Sequence, residues 1–431
     1  MKRIIARLAR YAPPALTANV AARIVALVAL TLATILVAHA GGPKLLGELT
    51  LLRVIPGLAG VLVSCGLPSA APYFLANRKY ATLPRLRSTL IMLTLLGSLA
   101  ASGCWLVLTP LLHWLFFRPW HMGVVLAATV AVFAQLWVAA GKSFLQGEND
   151  MRGANTAIAA EEAAFLPVYV ALLPFLHGTA LLMSALVGAD VLVTAGIAVR
   201  LARRGFLRGW KRPDAQLGGE ICRYGLRGQV GGMLSLINLR LDVVILGALV
   251  GPGTLGVYAV ASKCAELLRL PGLAITYVLY PRLAVRDRSA AARDVAELLP
   301  RAFLMTVLAA IPLAAAVPLL PLVYGPAFAG AIVPAYIILF GLVGEGVAGL
   351  VSAYLYGVGR PGANSIALSV SVVVTIGLDL ALIPHFHVIG AAVASAVAYL
   401  TSSVALLVCY FAVRKMVHVP RHKAPATVGA S

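Results

Sequence analysis

Runs of about twenty apolar residues recur along the whole chain and limit its possible folds more than any other feature. A helix of that length crosses a bilayer, and inside lipid every backbone polar group must be bonded within the protein. Of the 431 residues, 61% are hydrophobic and 12% are charged. Because soluble domains are about 45–50% apolar and about 25% charged, this composition predicts an all-α polytopic membrane protein.

About twelve transmembrane spans are predicted from these runs. They cover residues 20–40, 46–75, 87–112, 121–144, 157–176, 178–202, 224–249, 254–280, 300–323, 328–357, 362–384 and 387–413. The longest hydrophilic insert separates the first six spans from the last six. The predicted units are an N-terminal six-helix lobe, a cytoplasmic linker, a C-terminal six-helix lobe and a cytoplasmic tail, at 1–203, 204–223, 224–413 and 414–431. Since each lobe has an even number of spans, both enter the membrane in the same orientation, as parallel repeats do.

Two of the spans, the second and the tenth, are long enough to require tilt or a kink. Proline is the commonest cause of a sharp helix kink. The predicted kink positions are Pro56, Pro68 and Pro72 in the second span and Pro334 in the tenth.

Basic residues are concentrated on one side of the predicted membrane. Most of the 35 lysines and arginines lie in segments on the side of the two termini, whereas Lys44 and Arg118 alone lie in segments on the other side. By the positive-inside rule, both termini are expected in the cytoplasm, with the chain in a bacterial inner membrane. The net charge of +20 therefore reflects topology. No nucleic-acid partner is predicted, because the chain has no basic–aromatic stripe and no nucleic-acid-binding signature.

A signal peptide is an alternative interpretation of the N-terminus. The basic residues of 2–10 could form its charged region, and Ala38-His39-Ala40 resembles a cleavage site. Removal of the first span would, however, invert the topology of all the others.

Five cations lie inside predicted spans: Arg23, Arg53, Arg240, Lys263 and Arg269. Ionisable groups are costly in a bilayer and usually mark a pathway. A cavity lined by cations could replace the hydration of an anionic group such as a pyrophosphate. Alternatively, the cations pair with buried acids. Lys263, Glu266 and Arg269 follow one another at a spacing of three along one helical stripe, and Arg23 could simply extend to the headgroups.

Two acids inside the spans, Asp242 and Asp379, indicate a second site. Thr375 precedes Asp379 by one helical turn and shares its face, and Ser395 lies on the twelfth span. Hard cations take carboxylate, hydroxyl and carbonyl oxygens. Asp242, Asp379, Thr375 and Ser395 are therefore a candidate site for Na⁺ or H⁺ as coupling ion. The alternatives are that Asp242 pairs with Arg240 or another basic residue and that Asp379 titrates as a proton site.

Other acids near the spans have simpler interpretations. Glu161 and Glu162 lie near the cytoplasmic end of the fifth span and are expected at the interface. Glu345 is surrounded by small residues, which indicates a close helix-packing seam or a hinge. No HExxH, Walker or GxSxG motif occurs, so neither an enzyme nor a bound cofactor is predicted, and transport would have to be secondary.

Several stretches occur together in the second half in a characteristic order. They are RLDVVILG at 240–247, LGVYAVA at 255–261, YPR at 280–282, VYGPAF at 323–328, GVGRP at 357–361, and IP at 383–384 followed by VIGAA at 388–392. GLPSA at 66–70 and QG at 146–147 fit more loosely in the first half. In these stretches and in its span count, the chain resembles the polysaccharide (O-antigen type) flippase family of the multidrug/oligosaccharidyl-lipid/polysaccharide exporter superfamily.

The resemblance implies two six-helix lobes around a central cavity that opens alternately to the two sides. Its cargo would be a glycan on a polyprenyl pyrophosphate, moved from the cytoplasmic to the periplasmic leaflet. Membrane lipids, a polysaccharide polymerase and glycosyltransferases would be its partners. Related lipid-precursor flippases carry a sodium site between the corresponding helices, although an asparagine would fit that pattern better than Thr375.

Two other functions are compatible with the sequence. An exporter of cationic drugs or metabolites could have the same fold, but the excess of basic groups in the second half favours an anionic cargo. A membrane glycosyltransferase or polymerase would need a sizeable extramembrane domain or a long outer loop, and the predicted outer loops are short.

Overall fold

The computed structural model describes residues 14–76, 83–118, 120–269, 272 and 288–417. These residues form helices and connecting turns, and no strand occurs among them. The α-helices are α1 (Pro14–Val63), α2 (Leu67–Ala76), α3 (Leu83–Phe116), α4 (Met122–Gly147), α5 (Met151–Ala163), α6 (Phe165–Leu172), α7 (Gly178–Arg203), α8 (Ala215–Leu249), α9 (Pro252–Glu266), α10 (Arg288–Ala316), α11 (Leu320–Tyr324), α12 (Ile332–Gly341), α13 (Glu345–Gly357) and α14 (Pro361–Val417). Short 3₁₀ segments lie at Val317–Leu319, Pro326–Ala331 and Leu342–Gly344.

Within the described residues, eight helical stretches are long and apolar enough to cross a membrane. Two of them, in α1 and α14, contain a reversal of chain direction and so provide two spans each. The segment 151–172 adds one, and Pro252–Glu266 is part of the predicted span 254–280, of which residues 270–271 and 273–280 lie outside the described residues. The prediction of an all-α protein with twelve transmembrane helices in two six-helix lobes is confirmed.

The two reversals depend on unusual backbone conformations. In α1, Gly42 has φ +65° and follows Gly41, whose dihedral angles are also not helical. A left-handed residue of this kind ends a helix, and glycine adopts the conformation without a steric penalty. In α14 the reversal lies at His387, with φ +50°, shortly after Pro384.

The interruptions of the second and tenth spans do not coincide with the predicted prolines: the first lies between Pro56 and Pro68, and the second lies after Pro334. In the second span, α1 ends at Val63, and Cys65 and Gly66 have φ +48° and +68°, while Pro56 lies inside continuous helix. In the tenth, the 3₁₀ segment Leu342–Gly344 separates α12 from α13. Gly66, with its positive φ, permits the change of direction at the first break, whereas Gly341 and Gly344 at the second have ordinary right-handed dihedral angles.

The helix α8 begins inside the predicted linker, at Ala215. Asp214 caps it, because its Oδ1 accepts hydrogen bonds from the backbone N–H groups of Gln216 (2.9 Å) and Leu217 (3.2 Å).

We call the side that carries the turns at 64–66, 148–150, 204–214 and 358–360 the termini face, because Pro14 and Val417 lie there. The other side is the opposite face. One apolar core, which includes Leu49 and Tyr258, joins the two lobes in the half nearer the opposite face. Toward the termini face each lobe has its own core, around Phe144 in the N-terminal lobe and around Tyr354 in the C-terminal lobe. The lobes are therefore joined more extensively at the opposite face.

Candidate functional site

A cavity in two connected compartments lies in the centre of the protein. The interlobe compartment, of about 300 Å³, is bounded by the two segments of α1 and by α8 and α9. The N-lobe compartment, also about 300 Å³, is bounded by α1, α4, α5 and α7. Arg53, Gly57, Val61 and Glu162 line both compartments and so mark their common boundary.

Three of the five predicted cations line the interlobe compartment. They are Arg53, Arg240 and Lys263, each on a different helix. Because the compartment contains one acid, Glu162, against these three cations, its lining has an excess of positive charge. The structure thus brings together residues that are far apart in the sequence.

Two of these cations are paired with acids. Arg53 donates a hydrogen bond through Nη2 to Oε2 of Glu162. Arg240 Nη1 lies 3.6 Å from Oε1 of Glu266. Lys263 forms no ion pair within the described part of the chain. Glu266 therefore pairs with Arg240 on the neighbouring helix, rather than with Lys263 or Arg269 on its own.

Acids line the N-lobe compartment. Glu161, Glu162 and Asp190 face it, and Glu161 accepts a hydrogen bond from Lys142. Asp190 accepts one from Gln135. The prediction that Glu161 and Glu162 lie at the membrane interface is wrong, since both face the internal cavity. The reason is that α5 carries them inward toward Arg53 and Lys142, which partly compensate for their burial.

The remaining two predicted cations lie outside this cavity lining. Arg269 Nε donates a hydrogen bond of 3.1 Å to Oε1 of Glu345, and its guanidinium lies 5.8 Å from the ring centre of Tyr399. Arg23 is exposed and donates to Asn19 Oδ1 at 3.0 Å. The glycines beside Glu345 form a packing seam, because a Cβ on Gly346 would lie 2.1 Å from Thr306 Oγ1.

A second polar cluster is buried in the C-terminal lobe, between α8, α9 and both segments of α14. Asp242, which is 2% exposed, accepts hydrogen bonds from Tyr258 and, at 2.9 Å, from Ser395. The backbone N–H of Val243 also donates to Asp242, at 2.7 Å. Asp242 forms no ion pair with Arg240 in the described residues. Arg240 interacts with Asp242 electrostatically but not as a direct ion pair.

Asn238 extends this cluster by one helical turn. Its Oδ1 accepts hydrogen bonds from Thr375 (2.8 Å) and Ser371 (3.1 Å). Position 375 is a threonine and has no amide side chain of its own. Asn238, on the neighbouring helix α8, places an amide group beside it.

Asp379 is the least satisfied member of the cluster. Its side chain is fully buried, and neither carboxyl oxygen has a hydrogen-bond partner within the described residues. It interacts electrostatically with Asp242. An unpaired carboxylate is very costly in such a place, so Asp379 must either hold a proton or be neutralised by a cation. The oxygen-only donor set of Asp242, Asp379, Thr375, Ser395 and Asn238 fits a hard cation.

Histidine, cysteine and acidic side chains form no group of three or more in the described part of the chain that could hold a metal ion. The polar cluster contains two carboxylates, so a transition-metal site is not indicated there.

The cavity is closed toward the opposite face by a glycine contact between the lobes. A Cβ on Gly47 would lie 1.7 Å from the carbonyl oxygen of Pro252, and one on Gly256 would lie 1.8 Å from that of Pro43. Only glycine permits backbones to approach this closely. We call this contact the opposite-face seam.

A second glycine contact closes the cavity toward the termini face. A Cβ on Gly225 would lie 2.5 Å from the carbonyl oxygen of Cys65, and one on Gly66 would lie 2.1 Å from that of Gly225. Gln229 Nε2 donates to Ser64 Oγ at 3.2 Å across the same contact, and Tyr73 stacks on Tyr224 with ring centres 4.5 Å apart. We call this contact the termini-face seam. The two seams join the lobes on either side of the cavity, while the side chains of Arg53 and Arg240 that line it remain partly exposed.

Sequence reasoning gave several residues no role in the site. Glu162 was expected at the interface, and Asp190, which carries no motif, was marked only by its position inside or at the edge of a span. Asn238 could have been found, because it lies four residues before Asp242 and therefore on the same helical face.

Comparisons with known proteins agree with this architecture. A multidrug resistance MATE family transporter of the MOP superfamily, in an inward-facing conformation, has a TM-score of 0.71 at 17% identity, over 93% of this chain and 98% of that one. The lipid II flippase MurJ, in an inward closed conformation, has a TM-score of 0.75 at 16% identity, over 92% and 87%. A MOP superfamily transporter from Pyrococcus furiosus, described as having a binding pocket of reverse polarity, has a TM-score of 0.60 at 17% identity, over 93% and 95%.

These likenesses show the fold, which is that of the MOP superfamily transporters. Comparison with curated proteins found no match. The model of a family described as "Polysaccharide biosynthesis protein" matches residues 15–286. This match covers more than half of the chain and agrees with the resemblance in its sequence motifs. The protein is therefore a multi-pass membrane protein that belongs to the polysaccharide biosynthesis protein family.

Proposed function

We propose that the protein is a secondary transporter that flips a polyprenyl-pyrophosphate-linked oligosaccharide between leaflets by alternating access. The observation that carries this proposal is the excess of positive charge in the interlobe compartment, where Lys263 forms no ion pair among the described residues. Glu266 and Glu162 interact with it electrostatically without reaching ion-pair distance. A pyrophosphate cannot enter hydrocarbon unaided, and charge-assisted hydrogen bonds from lysine and arginine can replace its hydration.

The size of the cavity indicates how such a cargo would fit. About 300 Å³ is at the lower end of the range for small-molecule sites, roughly 300–1,000 Å³. The closed compartment can therefore hold the pyrophosphate, but the oligosaccharide requires the lobes to separate. The polyprenyl chain is as apolar as the lipid and can remain in the bilayer.

The direction of transport follows from the orientation. Basic residues are concentrated on the termini face, so this face is proposed to be cytoplasmic, in a bacterial inner membrane. The cargo would then enter from the cytoplasmic leaflet and leave toward the periplasm. Glycosyltransferases would supply it, and a polymerase would consume it.

Inverted membrane vesicles test this function. They are prepared with and without the protein from cells that make the lipid-linked oligosaccharide, and are exposed to a membrane-impermeant glycosidase. With the protein, the glycan should move to the lumen and become protected. Equal digestion in both preparations would refute the proposal.

An exporter of cationic compounds is the second candidate. It is favoured by one observation, the three acids Glu161, Glu162 and Asp190 that line the N-lobe compartment. The structure of the Pyrococcus furiosus relative is likewise described by the reverse polarity of its binding pocket, which is said there to suggest a different function. Uptake of a cationic dye by the same vesicles separates the two candidates, because we expect the dye to accumulate at the background rate.

The buried polar cluster is proposed as the site of the coupling ion, either Na⁺ or H⁺. Asp379 and Asp242 would supply charge, and the hydroxyl oxygens of Thr375 and Ser395 and the carbonyl oxygen of Asn238 would complete the coordination of Na⁺. Neutralisation of Asp379, by a cation or a proton, would remove the cost of its unpaired buried carboxylate.

Thermal unfolding of the purified protein distinguishes the two ions. If Na⁺ binds, replacing K⁺ by Na⁺ should stabilise the wild type by about 2.7 kcal/mol at a hundred times Kd. Asp379→Asn should abolish this gain, whereas Glu220→Gln, which changes an exposed acid of α8, should retain it. If wild type shows no sodium effect but depends on pH through Asp379, the site takes a proton. An equal sodium effect in Asp379→Asn would contradict the assignment.

A further inference from the structure

A long groove outside the central cavity lies between α5 and α7 in the N-terminal lobe, with a volume of about 610 Å³. Its floor is made of small residues, which include Ala157, Ala160, Ala164 and Gly196. Leu192, which is 59% exposed, also lines it, so the groove faces the surrounding bilayer. None of the residues that line the central cavity takes part in it.

The groove is as long as one leaflet is thick. It extends along α5 from Gly153 to Ala164, a length of about 16 Å at 1.5 Å per residue. Half of the hydrocarbon core of a bilayer measures about 15 Å. An acyl chain of the leaflet on the termini face therefore fits along the groove.

Three arginines lie at the end of the groove that meets the termini face: Arg200, Arg203 and Arg204. Asp150 binds two of them, because its carboxylate accepts hydrogen bonds from Arg200 Nε at 2.6 Å and Nη2 at 2.9 Å and lies 3.2 Å from Arg204 Nη2. The hydrogen bond from Arg200 lowers the pKa of Asp150 to about 2, so this carboxylate is charged at neutral pH. One acid against three cations leaves an excess of two positive charges, and Arg203 forms no ion pair within the described residues.

We propose that this groove binds one anionic phospholipid, with an acyl chain along α5 and α7 and its phosphate on Arg203 and Arg204. Both the positive charge at the end of the groove and the length of the groove fit such a lipid. Arginine binds phosphate oxygens through paired, charge-assisted hydrogen bonds, and basic pockets between helices on the cytoplasmic side bind anionic headgroups. This site does not depend on the proposed cargo, because it lies outside the transport cavity.

The lipid would also stabilise the start of α5. Asp150 caps this helix by accepting a hydrogen bond from the Gly153 N–H at 3.0 Å, and it holds α7 through Arg200. A phosphate on Arg203 and Arg204 would offset the repulsion among the three arginines that surround this cap.

The test is a titration of the purified full chain with phosphatidylglycerol or phosphatidylcholine, followed by native mass spectrometry and thermal unfolding. We expect one molecule of phosphatidylglycerol to be retained and to raise the unfolding temperature, and phosphatidylcholine to be lost. Arg203→Gln should weaken the binding roughly ten-fold or more, as expected for the loss of a charge-assisted hydrogen bond. Gly196→Leu should abolish it, since a Cβ at Gly196 meets open space and the side chain would fill the groove.

Two matched controls separate this binding from general effects. Gly103→Leu adds the same side chain at another open glycine of the N-terminal lobe, and Arg301→Gln removes an exposed arginine of α10. Both should retain phosphatidylglycerol. Equal retention of the two lipids, unchanged binding in Gly196→Leu, or displacement of phosphatidylglycerol by an equimolar polyprenyl phosphate would overturn the proposal.

Discussion

Replacement of Lys263 by methionine should reduce transport of the pyrophosphate-linked glycan roughly ten- to hundred-fold. Hydrogen bonds to charged groups contribute about 1.5–3 kcal/mol, and 1.4 kcal/mol corresponds to a factor of ten. Lys263 is the cation of the interlobe compartment that forms no ion pair among the described residues, so its ammonium group is free to donate hydrogen bonds to the proposed cargo. The measurement is the initial rate of glycan translocation in vesicles, normalised to the amount of protein.

Folding should not suffer from this change, and Lys263→Arg should restore much of the rate. Methionine keeps the apolar stem and removes a half-buried charge that forms no ion pair among the described residues, so the thermal stability should be unchanged or higher. Arg53 and Arg240 are less informative positions, because their removal leaves the half-buried Glu162 or Glu266 without its ion-pair partner. Lys211→Met, on the exposed linker, is the matched control. An undiminished rate in Lys263→Met would contradict a role in cargo binding.

Addition of a single methyl group at either glycine seam should hold the protein in one open conformation, with opposite results at the two faces. In Gly256→Ala the new Cβ cannot coexist with Pro43 in the closed opposite-face seam, so the cavity should open toward that face. In Gly225→Ala the termini-face seam is blocked in the same way, and the cavity should open toward the termini face. Overpacking costs about 1–3 kcal/mol, which shifts the population of open forms about 5- to 150-fold.

Accessibility of an engineered cysteine measures this shift. Thr50→Cys, which lines the interlobe compartment, is labelled from each face by a membrane-impermeant maleimide after the five native cysteines have been replaced. Labelling should increase from the opposite face in Gly256→Ala and from the termini face in Gly225→Ala. Gly103→Ala, at a position with open space, should leave it unchanged. If both seam variants are labelled from the same face, the glycine contacts do not form the two gates.

The architecture could be predicted from the sequence because bilayer thickness fixes the length of each span. Apolar runs give the number and length of the spans, and the asymmetry of basic residues gives their expected orientation. The positions of the interruptions were less predictable. Prolines marked the second and tenth spans as irregular, but the chain turns at Cys65 and Gly66, which have positive φ, and changes to a 3₁₀ helix at Leu342–Gly344. The apolar pattern reveals neither position.

The charges of the site could be found from the sequence, but not their partners. Arg53, Arg240 and Lys263 are conspicuous because they interrupt apolar runs. Their pairing depends on contacts between helices that are distant in the sequence. Glu162 forms an ion pair with Arg53, and Glu266 forms one with Arg240. Only the assembled fold shows that Lys263 has no ion-pair partner among the described residues.

The most direct test of the account uses the purified protein in vesicles with two fluorescent cargoes that carry the same oligosaccharide. One is linked through a polyprenyl pyrophosphate and the other through an uncharged polyprenyl ether. The account predicts that the protein accelerates the movement of the pyrophosphate-linked glycan between leaflets, that Lys263→Met removes most of this acceleration, and that the uncharged glycan moves at the rate of protein-free vesicles. Equal acceleration of both cargoes, or of neither, would contradict it.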